Sequence, residues 1–214
     1  MPLVHPLDIY PLDRDFYARP TLQVARELLG MRLVRLDGGA HLAGLIVETE
    51  AYIGQDDLGC HARAGLTERN RVMFGPPGHA YVYFTYGMHW LLNCVTEAEG
   101  FAAAVLLRAI VPVEGVEVIA QRRGSQPPQR WTDGPAKLTM ALGINGKDNG
   151  LDLCDPAGML FIEPGQAVPE ASVTRGPRVG LYTVPEPWKS IPWRFQADPA
   201  ALPEYQALRR QIWD

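Results

Sequence analysis

Apolar residues recur along this chain with two different periods, and each change of period marks an element. From Thr21 to Gly30, Leu22, Ala25, Leu28 and Leu29 fall at helical spacing and Gly30 supplies a stop, which predicts a short helix. Met31 to Leu36 then reads as a strand. Ala43 to Ile53 reads as a longer strand that alternates with period two. On that alternation Leu45, Val47, Thr49, Ala51 and Ile53 share one face, and Glu48, Glu50 and Tyr52 share the other.

The stretch from Gly54 to Arg71 is polar and contains glycine, so it predicts a loop. Gly75-Pro76-Pro77-Gly78 punctuates the chain strongly. Ala80 to Tyr86 and Trp90 to Thr96 are rich in aromatic and apolar residues and flank a turn at Gly87-Met88, which predicts a β-hairpin. Ala103 to Ile110 is a further strand. Glu114 to Arg123 reads as a helix, Gly124 to Gly134 as a linker, and Pro135 to Leu142 as a helix opened by proline. From Leu153 onward the pattern gives short strands between Pro and Gly, with an amphipathic tail from Tyr205 to Trp213. No repeat and no domain boundary interrupts the pattern. The reading is one α+β domain over residues 1–214, built around a mostly antiparallel sheet.

Composition changes this picture in a few places. At 214 residues and 47% hydrophobic, the chain has enough apolar surface for a sizeable core. No apolar run approaches the ~20 residues that a membrane span needs. Met1 to Tyr10 lacks the basic start and apolar run of a secretory signal. Cys60, Cys94 and Cys154 are odd in number and far apart, so they predict neither a disulfide framework nor a metal pair. A reducing, cytoplasmic location is the expectation. A net charge of −4 and an isoelectric point of 5.7 argue against an indiscriminate nucleic-acid binder. Charge is uneven, however: Arg122, Arg123, Arg130 and Lys137 face only Asp133 between positions 121 and 137. A local positive face is therefore available to phosphate.

Several residues could carry chemistry. Glu48 and Glu50 lie two apart on one face of an apolar strand. They read either as the solvated face of an edge strand or, with Tyr52 on the same face and His61 soon after, as a carboxylate beside an aromatic platform. Tyr81, Tyr83 and Tyr86 read either as strand packing or as a stacking surface and a wedge, with Met88 beside the turn. Arg108, inside Val105-Leu106-Leu107-Arg108-Ala109-Ile110, needs an acidic partner, structural or catalytic. Asn93, inside an apolar run, is a satisfied core amide or a reader of a base edge.

Taken together, these segments resemble the alkyladenine (3-methyladenine) DNA glycosylase family. The resemblance is carried by Ile46-Val47-Glu48-Thr49-Glu50-Ala51-Tyr52, His61, Arg69-Asn70-Arg71, Met73-Phe74, Tyr81-Val82-Tyr83, Tyr86-Gly87-Met88, Asn93, Val105-Leu106-Leu107-Arg108-Ala109, Gly134-Pro135-Ala136-Lys137-Leu138 and Arg178-Val179-Gly180. They occur in the family's order. His89 departs from it, standing where some members carry an aromatic, and the loop from Ala62 to Glu68 is a residue short of some relatives.

The resemblance implies a curved antiparallel sheet with a hairpin that inserts into the minor groove of damaged double-stranded DNA. It implies Glu50 as the base that activates water, and Arg108 as a holder of that water with the backbone carbonyl of Val179. Tyr52, His61 and Tyr83 would sandwich a flipped base, and the Asn93 amide would clash with the 2-amino group of guanine. Tyr86 would be the intercalating wedge, Met88 its neighbour, and Lys137 part of the DNA-contacting region. The implied activity is hydrolysis of the glycosidic bond of alkylated or deaminated purines. A monomer is expected, and because the sequence offers no clustered Cys/His ligands, phosphate loop or dinucleotide fingerprint, no metal and no organic cofactor are expected.

Three rivals are weighed on residues. A bifunctional glycosylase needs an amine nucleophile, and only Lys137, Lys147, Lys189 and a processed Met1-Pro2 terminus offer one. A zinc base deaminase needs H-x-E with P-C-x-x-C, and neither motif is present. A non-catalytic lesion-binding protein would keep Tyr86 and the pocket aromatics and could lose Glu50; the presence of both Glu50 and Arg108 favours the enzyme.

Overall fold

The structure, a computed structural model, describes residues 10–212, with side chains as far as 207. The Met1-Pro2 amine, most of the stretch tested for a signal, and Trp213 lie outside the described residues. The element order is α1 (Arg14–Tyr17), α2 (Thr21–Glu27), β1 (Arg32–Asp37), β2 (Ala40–Ile53), β3 (Ala80–Thr85), β4 (His89–Val95), β5 (Ala103–Glu114), α3 (Val116–Arg123), α4 (Pro135–Leu142), β6 (Leu160–Glu163), β7 (Val173–Gly176), β8 (Arg194–Ala197) and α5 (Pro203–Ile212). Short 3₁₀ turns punctuate the loops, including His61–Ala64 and Arg71–Phe74.

The strands pair antiparallel in an open sheet of order β3-β4-β5-β2-β1-β6, with β8 added to β2 and β7 to β8. The few helices and the antiparallel sheet make this an α+β fold, as the periodicity predicts. The long strand β2 sits in the middle. β5 pairs along one side of it; β1 takes its first half on the other side, and β8 takes Glu48 to Glu50. The acidic face of β2 is therefore no solvated sheet edge. The β2–β5 register slips between Ile46/Glu48 and again between Glu48/Thr49. Bulges of this kind bend a strand and break strict alternation, so the predicted apolar face is not continuous through Val47.

The core gathers between the sheet and its helices. Val24, Ala25 and Leu28 are fully buried, and the Thr49 hydroxyl donates to the Ala25 carbonyl at 2.7 Å, which fixes one face of β2 against α2. The strand β5 runs four residues past its expected end, to Glu114. There Gly115 adopts φ +64°, and a Cβ would meet the His41 carbonyl at 2.6 Å, so α3 begins only at Val116. The hairpin turn also falls one residue earlier than expected. Tyr86 (φ 50°) and Gly87 (φ 67°) are its centre, both in the left-handed region, and the Met88 N–H donates to the Thr85 carbonyl. The tail helix starts at Pro203, two residues before the predicted Tyr205.

Candidate active site

Glu50 lies at the centre of the sheet with no exposed surface. A carboxylate there is costly unless its oxygens are satisfied, and they are. Its Oε1 accepts the Val179 N–H at 2.7 Å; its Oε2 accepts the Tyr52 hydroxyl at 2.8 Å and the Arg108 guanidinium at 3.2 Å. Arg108, one strand away on β5, also donates from Nε to Glu48 Oε1 at 2.8 Å. Burial pushes the Glu50 carboxyl above its ordinary value, while Arg108, the Val179 N–H and the Tyr52 hydroxyl pull it back. Tyr52 is itself raised well above the usual phenol range by burial and by the Glu50 charge beneath it.

All three donors to Glu50 belong to residues that line one cavity of about 340 Å³. Its walls include Tyr52, His61, Tyr83 and Asn93, and Thr85, Tyr86 and Pro135 approach from the hairpin and the start of α4. That volume suits a small-molecule pocket, typically ~300–1,000 Å³. His61 meets the Tyr83 ring edge-on, with centroids 4.6 Å apart, and its Nδ1 shares a hydrogen bond of 2.9 Å with the Tyr81 hydroxyl. Burial first, then the Arg69 and Arg63 charges, lower the His61 pKa to about 4, so the ring is neutral at physiological pH. The Tyr83 phenol is pushed up to about 12, chiefly by burial. Asn93 is buried and donates from Nδ2 to the Tyr81 carbonyl at 2.9 Å, which holds the amide rigidly at the wall.

At the rim, Tyr86 is 85% exposed and Met88 66% exposed. Such exposure of large apolar side chains at a tip has no packing explanation. Arg69 ties the neighbouring loop to the hairpin, donating to the Phe84 carbonyl at 3.3 Å and lying 5.5 Å from the Tyr83 centroid. Lys137 is two residues beyond Pro135, outside the cavity lining, and is bound to Asp133 at 2.6 Å.

The structure thus brings Arg108, Tyr52, His61, Tyr83 and Asn93 into the lining of one cavity, places Glu50 behind that lining with no exposed surface, sets Tyr86 at the mouth, and leaves Lys137 apart. Val179 reaches Glu50 through its N–H, a contact the sequence reading did not anticipate. That reading took Tyr81 as strand packing or stacking surface and not as the partner of His61, and it assigned no role to Asp57 or Arg178. Asp57 and Arg178 are both fully buried at the side chain and form an ion pair behind Tyr52. Asp57 sits in the polar run Gln55-Asp56-Asp57, which looks like a solvated turn, and its partner is 121 residues away.

Comparison with known proteins identifies the family. The family model for methylpurine-DNA glycosylase (MPG) matches residues 15–200. A protein of Myxococcus xanthus is 52% identical over 184 residues, covering 86% of this chain and 88% of its own length. One of Methanocella arvoryzae is 50% identical over 185 residues, covering 86% and 90%. One of Anaeromyxobacter dehalogenans is 50% identical over 203 residues, covering 94% and 85%. All three are provisionally named 3-methyladenine DNA glycosylases. With a buried carboxylate beneath an aromatic cavity, and a family match across most of its length, the chain belongs to the methylpurine-DNA glycosylase family.

Proposed function

We propose that this protein is a monofunctional DNA glycosylase that flips an alkylated or deaminated purine into the cavity and hydrolyses its N-glycosidic bond with a water activated by Glu50. The observation that carries this reading is the buried Glu50 carboxylate, held by Tyr52, Arg108 and the Val179 N–H, each from a residue lining the aromatic cavity. A carboxylate offers about four acceptor positions. Three are taken here; in this reading the fourth receives the water, which has to pass the cavity-lining donors, because Glu50 itself has no exposed surface.

In this reading Glu50 takes the proton of the attacking water as oxygen bonds to C1′ and the C1′–N bond breaks. The electron pair of that bond leaves with the purine. The negative charge of Glu50 also favours the oxocarbenium-like transition state. Burial raises its basicity and so suits it to the proton transfer. The flipped base stacks against Tyr52, His61 and Tyr83. A neutral His61 does not repel a cationic, alkylated ring, and the phenol rings attract it. The Asn93 amide rejects a base carrying a 2-amino group in the wrong place. None of Lys137, Lys147 and Lys189 lines the cavity, which favours water over an amine as nucleophile.

A panel of single-lesion duplexes carrying 3-methyladenine, 7-methylguanine, hypoxanthine or ethenoadenine, scored for free base, tests the activity and fixes its range. Within that panel, Glu50→Gln is expected to bind lesion DNA and to excise about 10²–10⁴-fold more slowly, because the amide keeps the shape and loses the proton acceptor. A variant as fast as wild type removes Glu50 from the mechanism. A Glu50→Gln variant that neither binds nor folds would instead assign the carboxylate a structural role.

A further inference from the structure

Two buried residues that do not line the cavity hold its parts in place. Arg178 and Asp57 are paired in a fork, Nη1 to Oδ2 at 2.5 Å and Nη2 to Oδ1 at 2.8 Å. Asp57 also accepts the N–H of Ile53 at 3.2 Å and of Gly59 at 2.9 Å, so the loop leading to His61 is wound around its carboxylate. Arg178 further donates to the Ala51 carbonyl at 3.0 Å, and its Cζ lies 4.6 Å from the Tyr52 ring centroid. Tyr52 lines the cavity and Arg178 does not, so the guanidinium backs the ring on the side away from the cavity. Gly59 permits this approach: a Cβ there would lie 2.7 Å from Leu181 Cδ1 and 2.9 Å from Arg178 Nη2.

One guanidinium therefore joins three pieces of the site. It touches β2 between Glu50 and Tyr52, it grips the loop before His61, and it immediately precedes Val179. A buried ion pair is weak evidence of stabilisation, because desolvating both charges offsets their attraction. The bidentate and stacked geometry is one that lysine cannot reproduce. Both facts point to geometry rather than net stability as what this pair supplies.

We propose that Arg178, locked by Asp57, is a positioning residue for the reaction: it sets the Val179 N–H on Glu50 Oε1 and steadies the Tyr52 ring whose hydroxyl binds Glu50 Oε2. This rests on the glycosylase reading above. Arg178 does not touch the flipped base; it acts through Val179 and Tyr52. A consequence separates this role from a merely structural one. The Val179 N–H is one of the groups holding the Glu50 carboxyl down. Loosening it raises the Glu50 pKa, so the acid limb of the rate profile moves to higher pH. The other groups facing Glu50 are Arg108 on β5, Glu48 and Tyr52 on β2, Tyr83 on β3 and Arg194 opposite on β8; of these only Tyr52 touches Arg178, and because its hydroxyl also holds the Glu50 carboxyl down, loosening it moves the limb in the same direction.

The test uses the full chain, a duplex with one hypoxanthine, single-turnover rates across pH, DNA binding and thermal melting. Arg178→Lys keeps the charge and loses the fork. The double variant Asp57→Asn with Arg178→Met removes both charges, so any shift of the limb reports geometry rather than field; it also serves if Arg178→Lys does not fold. The expected result is a rate lower by about 10²-fold, the scale of an ~1 Å misplacement of a reacting group, with binding little changed and the acid limb displaced upward. An acid limb that coincides with wild type in a folded variant overturns the proposal, whether or not the melting temperature falls. Failure of the glycosylase reading looks different: wild type would release no base, or Glu50→Gln would release it normally.

Discussion

Glu50 and His61 lie in one site, and burial moves them in opposite directions. Desolvation disfavours the charged form of each, so the carboxyl rises above its ordinary 4.5 and the imidazole falls from 6.5 to about 4. Burial thus favours a proton on Glu50 and disfavours one on His61. The acid limb of the single-turnover profile should therefore belong to Glu50, with excision lost as it protonates. His61→Phe keeps a ring at that wall and gives up the bond to Tyr81, so it should lower the rate without displacing the limb. A limb that moves with His61→Phe would assign it to the imidazole. Stability carries the matching sign for His61. Its lowered pKa means that the contribution from keeping it neutral is complete above about 6.5, and declines as pH falls from there towards about 4.

The hairpin β3–β4 is the element whose form makes least sense without a partner. Its base is buried at Tyr81, Val82, Leu91 and Leu92, while its tip leaves Phe84, Tyr86 and Met88 exposed. Tyr86 takes φ 50° in the turn, a conformation unfavourable to most side chains with a Cβ. Such a local cost at a site mouth is a reason to look for function. On the proposed reading the ring fills the gap left by the flipped nucleotide. Stacking there is worth ~1–3 kcal/mol. Tyr86→Ser should then slow excision of a paired hypoxanthine by roughly 5- to 150-fold, those energies converted to a ratio. It should act little on a lesion in a mismatch or opposite a gap, where stacking is already lost. Because Tyr86 is outside the core, the melting temperature should hold. A large drop in melting temperature with uniform loss on every substrate would return Tyr86 to packing.

The whole molecule carries a net charge of −4, which opposes a polyanion. Binding must then depend on local field, and Asp133 weakens that field beside the cavity. It holds Lys137 at 2.6 Å and stands 4.0 Å from Arg130. Arg130 lies on the segment that leads into α4 and Lys137 in its first turn, and the first residue of α4, Pro135, reaches the cavity. If Lys137 meets phosphate, Asp133→Asn should tighten binding to damaged and undamaged duplex alike, and should steepen the loss of affinity with salt. Unchanged affinity at low salt would place Lys137 away from the DNA path.

Much of this was legible in the chain itself. Periodicity marks α2, β2, the hairpin, β5 and α4, because burying an apolar face imposes period 3.6 on helices and 2 on strands. The shared sidedness of Glu48, Glu50 and Tyr52 follows from the same rule, and the ordered motifs point to the family. Sequence could not decide whether that acidic face is solvated or enclosed. Only the pairing of β2 with β5 on one side, and with β1 and β8 on the other, puts Glu50 at the centre of the sheet. The β5 pairing also brings Arg108 against it, and a loop 129 residues away brings the Val179 N–H. The same holds for Asp57, in a polar run, and Arg178, in a motif that assigns it no partner; they are joined only by the fold. Local pattern reports which faces must be buried; which distant donor satisfies a buried carboxylate is settled by tertiary packing, because that hydrogen bond exists only once both chain segments have been desolvated together.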